Sequence, residues 1–359
     1  MAKDDNARQM SLRDIAREAG VSVSTVSRVL AGTKTTAKIS DKTRERILNI
    51  CENMKFHPNI HYRRLHEGLS RVIAFLIPPP DRSLMFFDEN VGCFLSALEP
   101  RLARHGFHIM IQSTTPDFMA ERQHLEILRS HAVDGVILWD VFRDDQALRD
   151  MMQEGKPIIK AAFPSDLLLD QIVPDNFQGS YDITKHLVEE GHKHIAHVAG
   201  GKTRIDEERE SGYRKAIDEA GLQPVLLAGQ FNYRSGYEMA EKIVKKHPQV
   251  TAIMAANDLA AAGCLRRLKE MDKSVPDEIA ITGFDGTSHS QLTDPPITTA
   301  RLQLDEIGRQ AADRIVKAVL TPEKYKPQLT TIAMPLLVRA STSKHATAPE
   351  MGGSCLVSA

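Results

Sequence analysis

Hydrophobic positions along the chain change their spacing near residue 72. Beyond it, short apolar runs alternate with longer segments in which apolar residues recur at helical spacing. Such runs followed by helices are typical of buried parallel strands in β-α-β units. The runs cover residues 72–77, 107–111, 135–139, 157–161, 194–200, 225–228, 251–256 and 278–284. This many units exceed one small sheet, so the pattern predicts an α/β core of two doubly wound parallel-sheet lobes, with the change of lobe near residues 166–175.

Residues 11–55 alternate short helical patterns with turn residues and contain no plausible strand. Ser11 and Asp14 fit a capping box that begins a first helix, and Gly20 ends it, since glycine tolerates a left-handed backbone. Ser22 is a suitable N-cap for a second helix over residues 23–30. Two short helices around a glycine turn predict an all-α helix-turn-helix head.

A third helix, predicted over residues 41–55 after the N-cap Ser40, closes the core of this head. Ile47, Leu48 and Ile50 are the residues of this helix that we expect to face inwards. The second helix then turns short hydrogen-bonding or methyl-bearing groups and one guanidinium outwards, which suits the reading of base edges and phosphates. These outward residues are Val23, Ser24, Thr25, Ser27 and Arg28. An ordinary three-helix domain with a charged surface is the alternative interpretation.

Charge is divided unevenly between the two regions. The whole chain carries 46 Lys and Arg against 47 Asp and Glu, a net charge of −1. Residues 1–71 alone hold 14 basic and 8 acidic residues, which leaves +6 there and −7 in the remainder. A basic head on an acidic body indicates an anionic partner for the head, and this favours DNA binding over the alternative.

The ends of the predicted strands are the expected ligand site, because two-lobed α/β proteins bind ligands at the carboxyl ends of their strands. Carboxylates, an amide and aromatic rings follow the runs at these ends. Carboxylates accept hydrogen bonds from hydroxyls, and rings pack against the apolar faces of sugars. The candidate residues are Asp81, Trp139, Asp140, Phe163, Asn257, Asp258 and Asp285.

Several stretches together resemble one known family. LRDIAREAGVSVSTVSRVLAG, with ISDKTRERIL and FHPNIHYRRL after it, resembles the head of the lac-repressor/gal-repressor family of bacterial transcription regulators. The similarity continues through VDGVIL, ANDLAAAGCLRRL and ITGFDGTSHS and covers roughly residues 11–340. The resemblance implies a helix-turn-helix head, a hinge helix and a two-lobed core of the periplasmic sugar-binding type. It also implies a homodimer whose operator affinity is set by a small effector.

The resemblance assigns DNA contacts residue by residue. Val23 and Ser24 match the two specificity positions of the recognition helix, and Arg28 matches the arginine of the TVSRV motif. Leu65 matches the hinge leucine that family members wedge into the minor groove, where an apolar wedge unstacks a base step and kinks the duplex. The remaining predicted DNA contacts are Leu12, Ser22, Asn59 and, to phosphate, Lys38.

The resemblance also assigns the effector pocket. The residues implied are Arg209, Phe231, Asn257 and Asp285, together with Asp81 and either Phe86 or Phe87. For three of these residues a structural role is the alternative to effector binding. Asp285 could order its loop, Asn257 could cap a helix and Phe231 could serve packing. Trp139, the only tryptophan, is expected either as a pocket wall or as a contact between lobes. Ala162 stands where many family members carry Asp.

Two other motifs suggest a phosphate-binding loop and a metal site, but their residues do not meet the requirements of either site. Residues 196–203, AHVAGGKT, nearly match a phosphate-binding loop, but Ala196 stands where GxxxxGK[ST] requires glycine. His192, His194 and His197 suggest a metal site, yet a straight strand points His194 and His197 to opposite faces. The four cysteines form no C-x-x-C pair. We therefore predict no metal, no cofactor and no catalytic residues; an enzyme on a periplasmic-binding-like fold is the alternative function.

These observations predict a cytoplasmic DNA-binding transcription regulator, with repression as its expected mode of action. Its expected partners are double-stranded DNA with a roughly palindromic operator, a small polar effector such as a sugar or sugar derivative, and a second copy of the chain. No membrane is expected, because the apolar runs are far shorter than the ~20 residues of a spanning helix and the N-terminal residues have no apolar signal core. The predicted divisions are a disordered tail 1–10, a helix-turn-helix domain 11–58, a hinge helix or linker 59–71, a core 72–340 and a disordered tail 341–359.

Overall fold

The computed structural model describes residues 11–30, 39–54, 68–79, 88–140 and 146–343. The chain divides into two compact units. One contains Met1–Arg71 with Ser130–Asp134, and the other contains Val72–Arg129 with Gly135–Ala359. None of the helices in the described ranges is long and apolar enough to cross a membrane.

The head consists of three short helices, α1 (Leu12–Ala19), α2 (Val23–Leu30) and α3 (Asp41–Asn53). The Asp14 carboxylate accepts hydrogen bonds from the Ser11 N–H at 3.0 Å and the Ser11 hydroxyl at 2.6 Å. Gly20 follows α1 with φ 60°. Ser22 and Ser40 accept backbone N–H groups at the starts of α2 and α3, each at 3.2 Å. The small core is formed by Ile15, Ala16, Ala19, Val26, Val29, Ile47 and Cys51.

The prediction that Leu48 faces this core was wrong. Its side chain is 46% exposed, whereas Ile47 is fully buried. Successive helical residues are rotated by about 100°, so Ile47 and Cys51, one turn apart, define the buried stripe of α3 and leave Leu48 outside it. The helix ends at Asn53, and residue 55, its predicted end, lies outside the described residues.

The structure describes only the last four residues of the predicted hinge helix or linker, 59–71. Its residues up to 67 lie outside the described ranges, and residues 68–71 are not helical. Gly68 and Arg71 have φ values of 70° and 58°, which a right-handed helix does not contain. In the same unit the Asp134 carboxylate accepts the N–H groups of Ser70 at 2.8 Å and Arg71 at 2.6 Å. These two bonds fix the end of the linker as non-helical chain.

The first lobe is built on a six-stranded sheet. Its strands are β1 (Val72–Ile77), β2 (His108–Ser113), β3 (Gly135–Trp139), β4 (Ile158–Ala161), β5 (Asp170–Pro174) and β11 (Leu329–Ile332). Their order is β11-β5-β4-β3-β1-β2, and every pairing is parallel. The helices of this lobe are α4 (Glu89–Arg104), α5 (Pro116–Ala120), α6 (Gln123–Arg129), α7 (Gln146–Gln153) and α13 (Leu304–Leu320). α4 and α13 cover one face of the sheet and share its main hydrophobic core.

The second lobe has a smaller parallel sheet. Its strands are β6 (Ile195–Ala199), β7 (Val225–Ala228), β8 (Ala252–Met254) and β9 (Ala280–Thr282). Their order is β7-β6-β8-β9. The helices are α8 (Asn176–Glu189), α9 (Arg204–Glu219), α10 (Tyr233–Lys246), α11 (Asp258–Glu270) and α12 (Ser288–Leu292). α8 with α9 and α10 with α11 contribute to two separate hydrophobic clusters beside the sheet, so this lobe is doubly wound as predicted.

The chain crosses between the lobes more often than predicted. It enters the second lobe after β5 and returns to the first with α13 and β11. It then adds β12 (Leu336–Leu337), which pairs antiparallel with β10 (Thr299–Ala300). A short 3-10 turn, Pro322–Lys324, follows α13. β5, β10, β11 and β12 were not among the predicted strands.

The ordered core continues past residue 340. Ser341 and Thr342 are buried, although they were predicted to begin a disordered tail. The Ser341 hydroxyl accepts the Thr298 N–H at 2.8 Å and donates to the Ile281 carbonyl at 2.6 Å. Small polar residues of this kind look like a tail in the sequence, but here their hydrogen bonds attach them to the second lobe. Residues after 343 lie outside the described ranges.

Candidate functional site

A cavity of about 540 Å³ lies between the two lobes at the carboxyl ends of their strands. Trp139 and Phe163 give it aromatic surface from the first lobe, and Phe231 does so from the second. Carboxyl, amide and cationic side chains from both lobes converge on the same space. They are Asp88, Asn90, Asp140, Lys160, Asp166, Asn176, Lys202, Arg204, Glu207, Arg209, Asn257 and Asp285.

Five of the seven predicted effector residues line this cavity: Trp139, Arg209, Phe231, Asn257 and Asp285. The other two, Asp81 and Phe86, lie outside the described residues, as does Phe87. Trp139 is 6% exposed and packs edge-on against Phe163 at 5.4 Å between ring centroids. It is therefore a wall of the cavity that also belongs to the core of the first lobe.

The Arg209 side chain makes three hydrogen bonds in the cavity wall. Its Nε donates to Asn176 Oδ1 at 3.0 Å, its Nη1 to the Ala256 carbonyl at 2.7 Å and its Nη2 to Asp285 Oδ1 at 3.2 Å. The guanidinium carbon lies 3.6 Å from the centroid of the Phe284 ring. A guanidinium has five N–H donors, and three of them make these bonds. Burial lowers the pKa of Arg209, while the neighbouring Asp285 counteracts this.

Asp285 lies in a strained loop that the rest of the lobe holds in place. Its φ is 103°, a region that non-glycine residues rarely adopt. The Asp285 N–H donates to the Ala300 carbonyl and its own carbonyl accepts the Leu302 N–H, both at 2.9 Å. Burial raises the pKa of Asp285 to about 6, against the opposing effect of Arg209. The carboxyl group therefore lines the cavity while the backbone of Asp285 orders the loop.

Asn257 and Phe231 likewise combine a structural role with a place in the cavity wall. Asn257 Oδ1 accepts the Ala260 N–H at 2.9 Å and caps α11. The Phe231 ring lies against Gly200, where a Cβ atom would come within 2.2 Å of the ring. A Cβ atom at position 200 would overlap the ring, so Gly200 serves packing against Phe231.

The near match to a phosphate-binding loop does not form a phosphate cradle. Ala196 lies inside β6, and the Gly200 N–H donates to Asp206 Oδ1 at 2.6 Å. His197 is buried against Tyr213, and burial lowers the pKa of His197 to about 4. His194 is exposed. Within the described ranges, no three His, Cys, Asp or Glu residues cluster at metal-binding distance.

Sequence reasoning missed several residues of the cavity wall. Asp88 and Asn90 lie at the start of α4, where the Asp88 carboxylate accepts the Asn90 N–H at 2.9 Å. Lys160 is a buried lysine within β4. A helix N-cap signal at Asp88 and a charged residue inside an apolar run at Lys160 were visible in the sequence. Ala162 lines the cavity as well.

In the head, the start of α2 gathers most of the described DNA-contact candidates. Val23 is 40% exposed, Ser24 is exposed, and the Ser22 hydroxyl lies 2.8 Å from the hydroxyls of both Ser24 and Thr25. The Arg28 Nε donates to the Ser24 carbonyl at 3.3 Å. Leu12 is half-buried and packs against the core. Lys38, Asn59 and Leu65 lie outside the described residues.

Ser27 does not belong to the outward face. Its side chain is 7% exposed, although it was predicted to face solvent. α2 packs against both α1 and α3, so its buried face is wider than a single stripe and includes the residue next to Val26. A direct contact between Ser27 and a base is incompatible with this burial.

Two family profiles match the chain. Residues 11–59 match the bacterial regulatory proteins of the lacI family, and residues 184–342 match the periplasmic binding protein-like domain. The chain is also 32% identical to the HTH-type transcriptional regulator DegA of Bacillus subtilis (strain 168), over 93% of this chain and 98% of DegA. The chain belongs to the lacI family. It is also similar to the HTH-type transcriptional repressor PurR of Mannheimia succiniciproducens, with 27% identity over 94% of this chain and 99% of that protein.

Solved structures agree with this family. A complex of the transcriptional regulator CelR with cellobiose aligns with a TM-score of 0.70 and 26% identity, covering 92% of this chain and 99% of that one. A lac repressor dimer bound to operator and the anti-inducer ONPF aligns with a TM-score of 0.78 over 93% of this chain and 99% of that one; at 23% identity it shows the fold alone. These matches confirm the predicted family and the predicted two-lobed fold. They also confirm the prediction of a DNA-binding transcription regulator rather than an enzyme.

Behind the cavity of this lacI-family protein lies a second buried carboxyl group, that of Asp258. It accepts the Thr287 N–H at 2.6 Å, the Thr287 hydroxyl at 3.0 Å and the Thr299 hydroxyl at 2.6 Å. Burial raises the pKa of Asp258 to about 7, and repulsion from Asp285 adds to this, whereas the hydroxyl and N–H donors lower it. A carboxyl pKa above the ordinary 3.8 means that the folded protein holds the proton more tightly than the unfolded chain.

We expect the Asp258→Asn variant to gain stability relative to the wild type as the pH rises. The contribution of Asp258 is fully present below about pH 4 and is lost as the pH rises through about 7, and an amide does not ionise. The relative gain in the free energy of unfolding should be about 1–3 kcal/mol between about pH 5 and pH 8. Thermal unfolding of both proteins across this range measures it.

The effect of Asp258 has to be measured as a difference in stability between the wild type and the variant. The reason is that His197 changes the stability of both proteins with pH in the opposite direction. Its lowered pKa makes the folded state more stable as the pH rises from about 4 to its ordinary 6.5. Asp218→Asn, at an exposed position of α9, is the matched control and should follow the wild type at every pH. A pH-independent difference between Asp258→Asn and the wild type would contradict the prediction.

Proposed function

We propose that this lacI-family protein acts in the cytoplasm as a homodimer that represses transcription by binding a roughly palindromic operator in double-stranded DNA. A small polar effector, a sugar or a sugar derivative, controls its operator affinity from the cavity between the lobes. The observation that carries the proposal is the cavity itself, in which aromatic and charged side chains of both lobes converge. The head supports the DNA part, and the cavity supports the effector part.

The chemistry of the cavity wall suits a hydroxyl-rich ligand. Its volume of about 540 Å³ falls in the range of about 300–1,000 Å³ that is usual for small-molecule sites. The Trp139 and Phe231 rings can cover the two apolar faces of a sugar, one from each lobe. Carboxylates such as Asp285 accept from sugar hydroxyls, and the remaining N–H groups of Arg209 donate to sugar oxygens. The solved complex of CelR with cellobiose supports a carbohydrate effector for a protein of this family.

The head suits a major groove. Ser22, Val23, Ser24 and Thr25 lie at the start of α2, where a recognition helix contacts base edges, and Arg28 lies in the last turn of the same helix. Short side chains there let the helix approach the bases, and the guanidinium can contact a phosphate or a guanine. We retain Leu65 as the proposed minor-groove wedge, with Leu12, Lys38 and Asn59 as proposed supporting contacts. Two heads in a dimer require two half-sites.

Effector and operator binding are coupled through closure of the lobes. An effector that binds both walls of the cavity changes how far the lobes close, and the first lobes then shift across the dimer interface. The spacing of the two hinge segments, residues 60–71, decides whether they fold together on DNA. Coupling between two sites is typically worth about 1–3 kcal/mol, or about 5–150-fold in affinity.

We expect the full chain to select a pseudo-palindromic duplex from a random pool and to bind it with steep salt dependence. If a dimer contacts 6–10 phosphates, its affinity should fall by about 10³–10⁵ between about 50 and 200 mM salt. Fluorescence anisotropy of a labelled duplex measures the slope. An affinity that hardly changes with salt, or a selected sequence without two half-sites, would contradict the proposal.

A matched pair of variants separates base reading from general attraction to DNA. Ser24→Ala should change the preferred base pair at one position of each half-site, with discrimination altered by about 1–3 kcal/mol or less. Asn49→Ala, at an exposed position of α3, should leave the selected sequence unchanged. If both variants select the wild-type sequence, α2 does not read bases through Ser24.

A further inference from the structure

The first turn of α4, in the first lobe, contacts the second lobe beside the cavity. The Glu89 carboxylate accepts the Ser288 N–H at 2.9 Å through Oε1 and at 3.0 Å through Oε2. Glu89 Oε2 also accepts the Ser288 hydroxyl at 2.5 Å. Both residues are half-buried, and hydrogen bonds to an ionised carboxylate are about twice as strong as neutral ones.

This contact replaces a local cap at the start of α12. Thr287 is the N-cap residue of that helix, but its side chain makes no capping bond, because the hydroxyl donates to Asp258 instead. The N–H groups at a helix start need acceptors. Glu89 supplies the acceptor from the other lobe, so the start of α12 is satisfied in this way only while the lobes are together.

Both partners of the contact are joined directly to the cavity wall. Glu89 lies between Asp88 and Asn90, which line the cavity. Ser288 is the first residue of α12 and lies three residues after Asp285. The Asp258 carboxylate holds the segment between them by accepting the Thr287 N–H. A movement that breaks the contact between Glu89 and Ser288 therefore moves one wall of the cavity away from the other.

A second contact between the lobes is weaker. Arg204, at the start of α9, forms an ion pair with Asp166 of the first lobe. Their side chains are 42% and 82% exposed, and exposed ion pairs contribute about 0–1 kcal/mol. Of these two contacts, the half-buried Glu89 contact, with a carboxylate that accepts both an N–H and a hydroxyl, is therefore the stronger restraint on closure.

We propose that Glu89 is a positioning residue of the effector site: it holds the loop from Asp285 to Ser288 against α4 and thereby sets the balance between open and closed lobes. This deepens the proposed function and rests on it, because lobe closure is the step that links effector and operator. Glu89 does not need to contact the effector. Its loss changes the effector site by opening it, with every cavity side chain still present.

Trp139 provides a direct measurement of this opening. It is the only tryptophan of the chain and lines the cavity almost completely buried, so a quencher reaches it readily only when the lobes separate. We expect acrylamide to quench the fluorescence of full-length Glu89→Ala at least about twofold more strongly than that of the wild type, because bonds to a charged acceptor are lost. Ser288→Ala, which keeps the N–H but loses the hydroxyl, should show a smaller increase.

Glu99→Ala is the matched control, since it removes a glutamate from an exposed position of the same helix. It should be quenched like the wild type. Far-UV circular dichroism checks folding, and if Glu89→Ala fails to fold, Glu89→Gln and Ser288→Ala carry the test. The inference is overturned if the folded Glu89 and Ser288 variants are quenched like the wild type, or if Glu99→Ala is quenched as strongly as they are. The measurement uses neither DNA nor effector, so its failure is distinct from a failure to bind an operator.

Discussion

Replacing Arg209 by methionine is expected to lower the free energy of unfolding by about 3–5 kcal/mol, the usual cost of removing one partner of a buried ion pair. Methionine keeps most of the length of the side chain but none of its charge. Asp285 would lose the group that counteracts the rise in its pKa, and the nearby Asp206 and Asp258 carboxyls would lose a compensating cation. The carbonyl of Ala256 would lose its donor as well.

The same variant should lose its response to sugars. Asn176, the Ala256 carbonyl and Asp285 hold the Arg209 guanidinium in the cavity wall, and methionine has no N–H group to donate to a sugar oxygen. Urea unfolding gives the stability, and thermal shift of wild type and variant with cellobiose and a panel of monosaccharides, sugar phosphates and uronates gives the binding. A stabilising sugar found for the wild type should leave the unfolding temperature of Arg209→Met unchanged.

Two further variants separate stability from binding. Arg214→Met removes an exposed arginine of the same helix, whose ion pair with Glu210 is worth no more than about 0.5 kcal/mol. In the double variant Arg209→Met with Asp285→Asn, no carboxylate at position 285 is left without its cation, so part of the stability should return. Binding of the sugar should not return. Full stability of Arg209→Met would show that Arg209 does not stabilise the fold, and recovery of binding in the double variant would show that it does not bind the sugar.

The sequence predicts an element correctly where the residues that mark it interact with their own neighbours along the chain. Ser11, Gly20 and Ser22 mark helix ends through bonds to their own neighbours, and the head helices begin where these residues predict. β5 is different, because Asp170 and Gln171 interrupt its apolar pattern. Asp170 is buried against Arg314 of α13, at 2.8 Å, and this partner lies far away in the sequence. A polar residue that is neutralised by a distant helix cannot be distinguished in the sequence from a loop residue.

For the effector site, too, the sequence predicted the residues with a local signal and missed those that depend on distant parts of the chain. Residues at strand ends, such as Trp139 and Asn257, were predicted because the carboxyl ends of parallel strands meet at one edge, and the structure places both in the cavity wall. Asp88 and Asn90 come from a helix start, which the strand-end rule does not consider. The contact between Glu89 and Ser288 depends on how far the lobes close, and no spacing along the chain encodes that distance.

Replacing Gly263 by valine is expected to destabilise the second lobe strongly, because α10 and α11 cross with their backbones in contact. A Cβ atom on Gly263 would lie 2.0 Å from the Tyr233 carbonyl oxygen, and one on Gly236 would lie 1.9 Å from that of Ala260. Both clashes involve backbone atoms, so no side-chain rotation relieves them and the helices must separate. Overpacking typically costs about 1–3 kcal/mol, and a clash with a carbonyl in a helix crossing should reach or exceed the upper value.

The separation should also damage the effector site, since Asn257 directly precedes α11 and Phe231 directly precedes Asn232, the N-cap of α10. Asn232 caps α10 and Asn257 caps α11, so moving one helix from the other moves the Phe231 ring away from the Asn257 side chain. We expect Gly263→Val to lower the unfolding temperature and to weaken sugar binding. The helix-turn-helix head of this variant should still fold in the absence of an operator. Gly92→Ala, in α4, is the control: a Cβ atom there meets nothing within 4 Å, and alanine in a helix should be neutral or stabilise by about 0.5–1 kcal/mol. If Gly263→Val unfolds at the same temperature as Gly92→Ala, the two helices are not held by this crossing, and the spacing of Phe231 and Asn257 must be set elsewhere in the lobe.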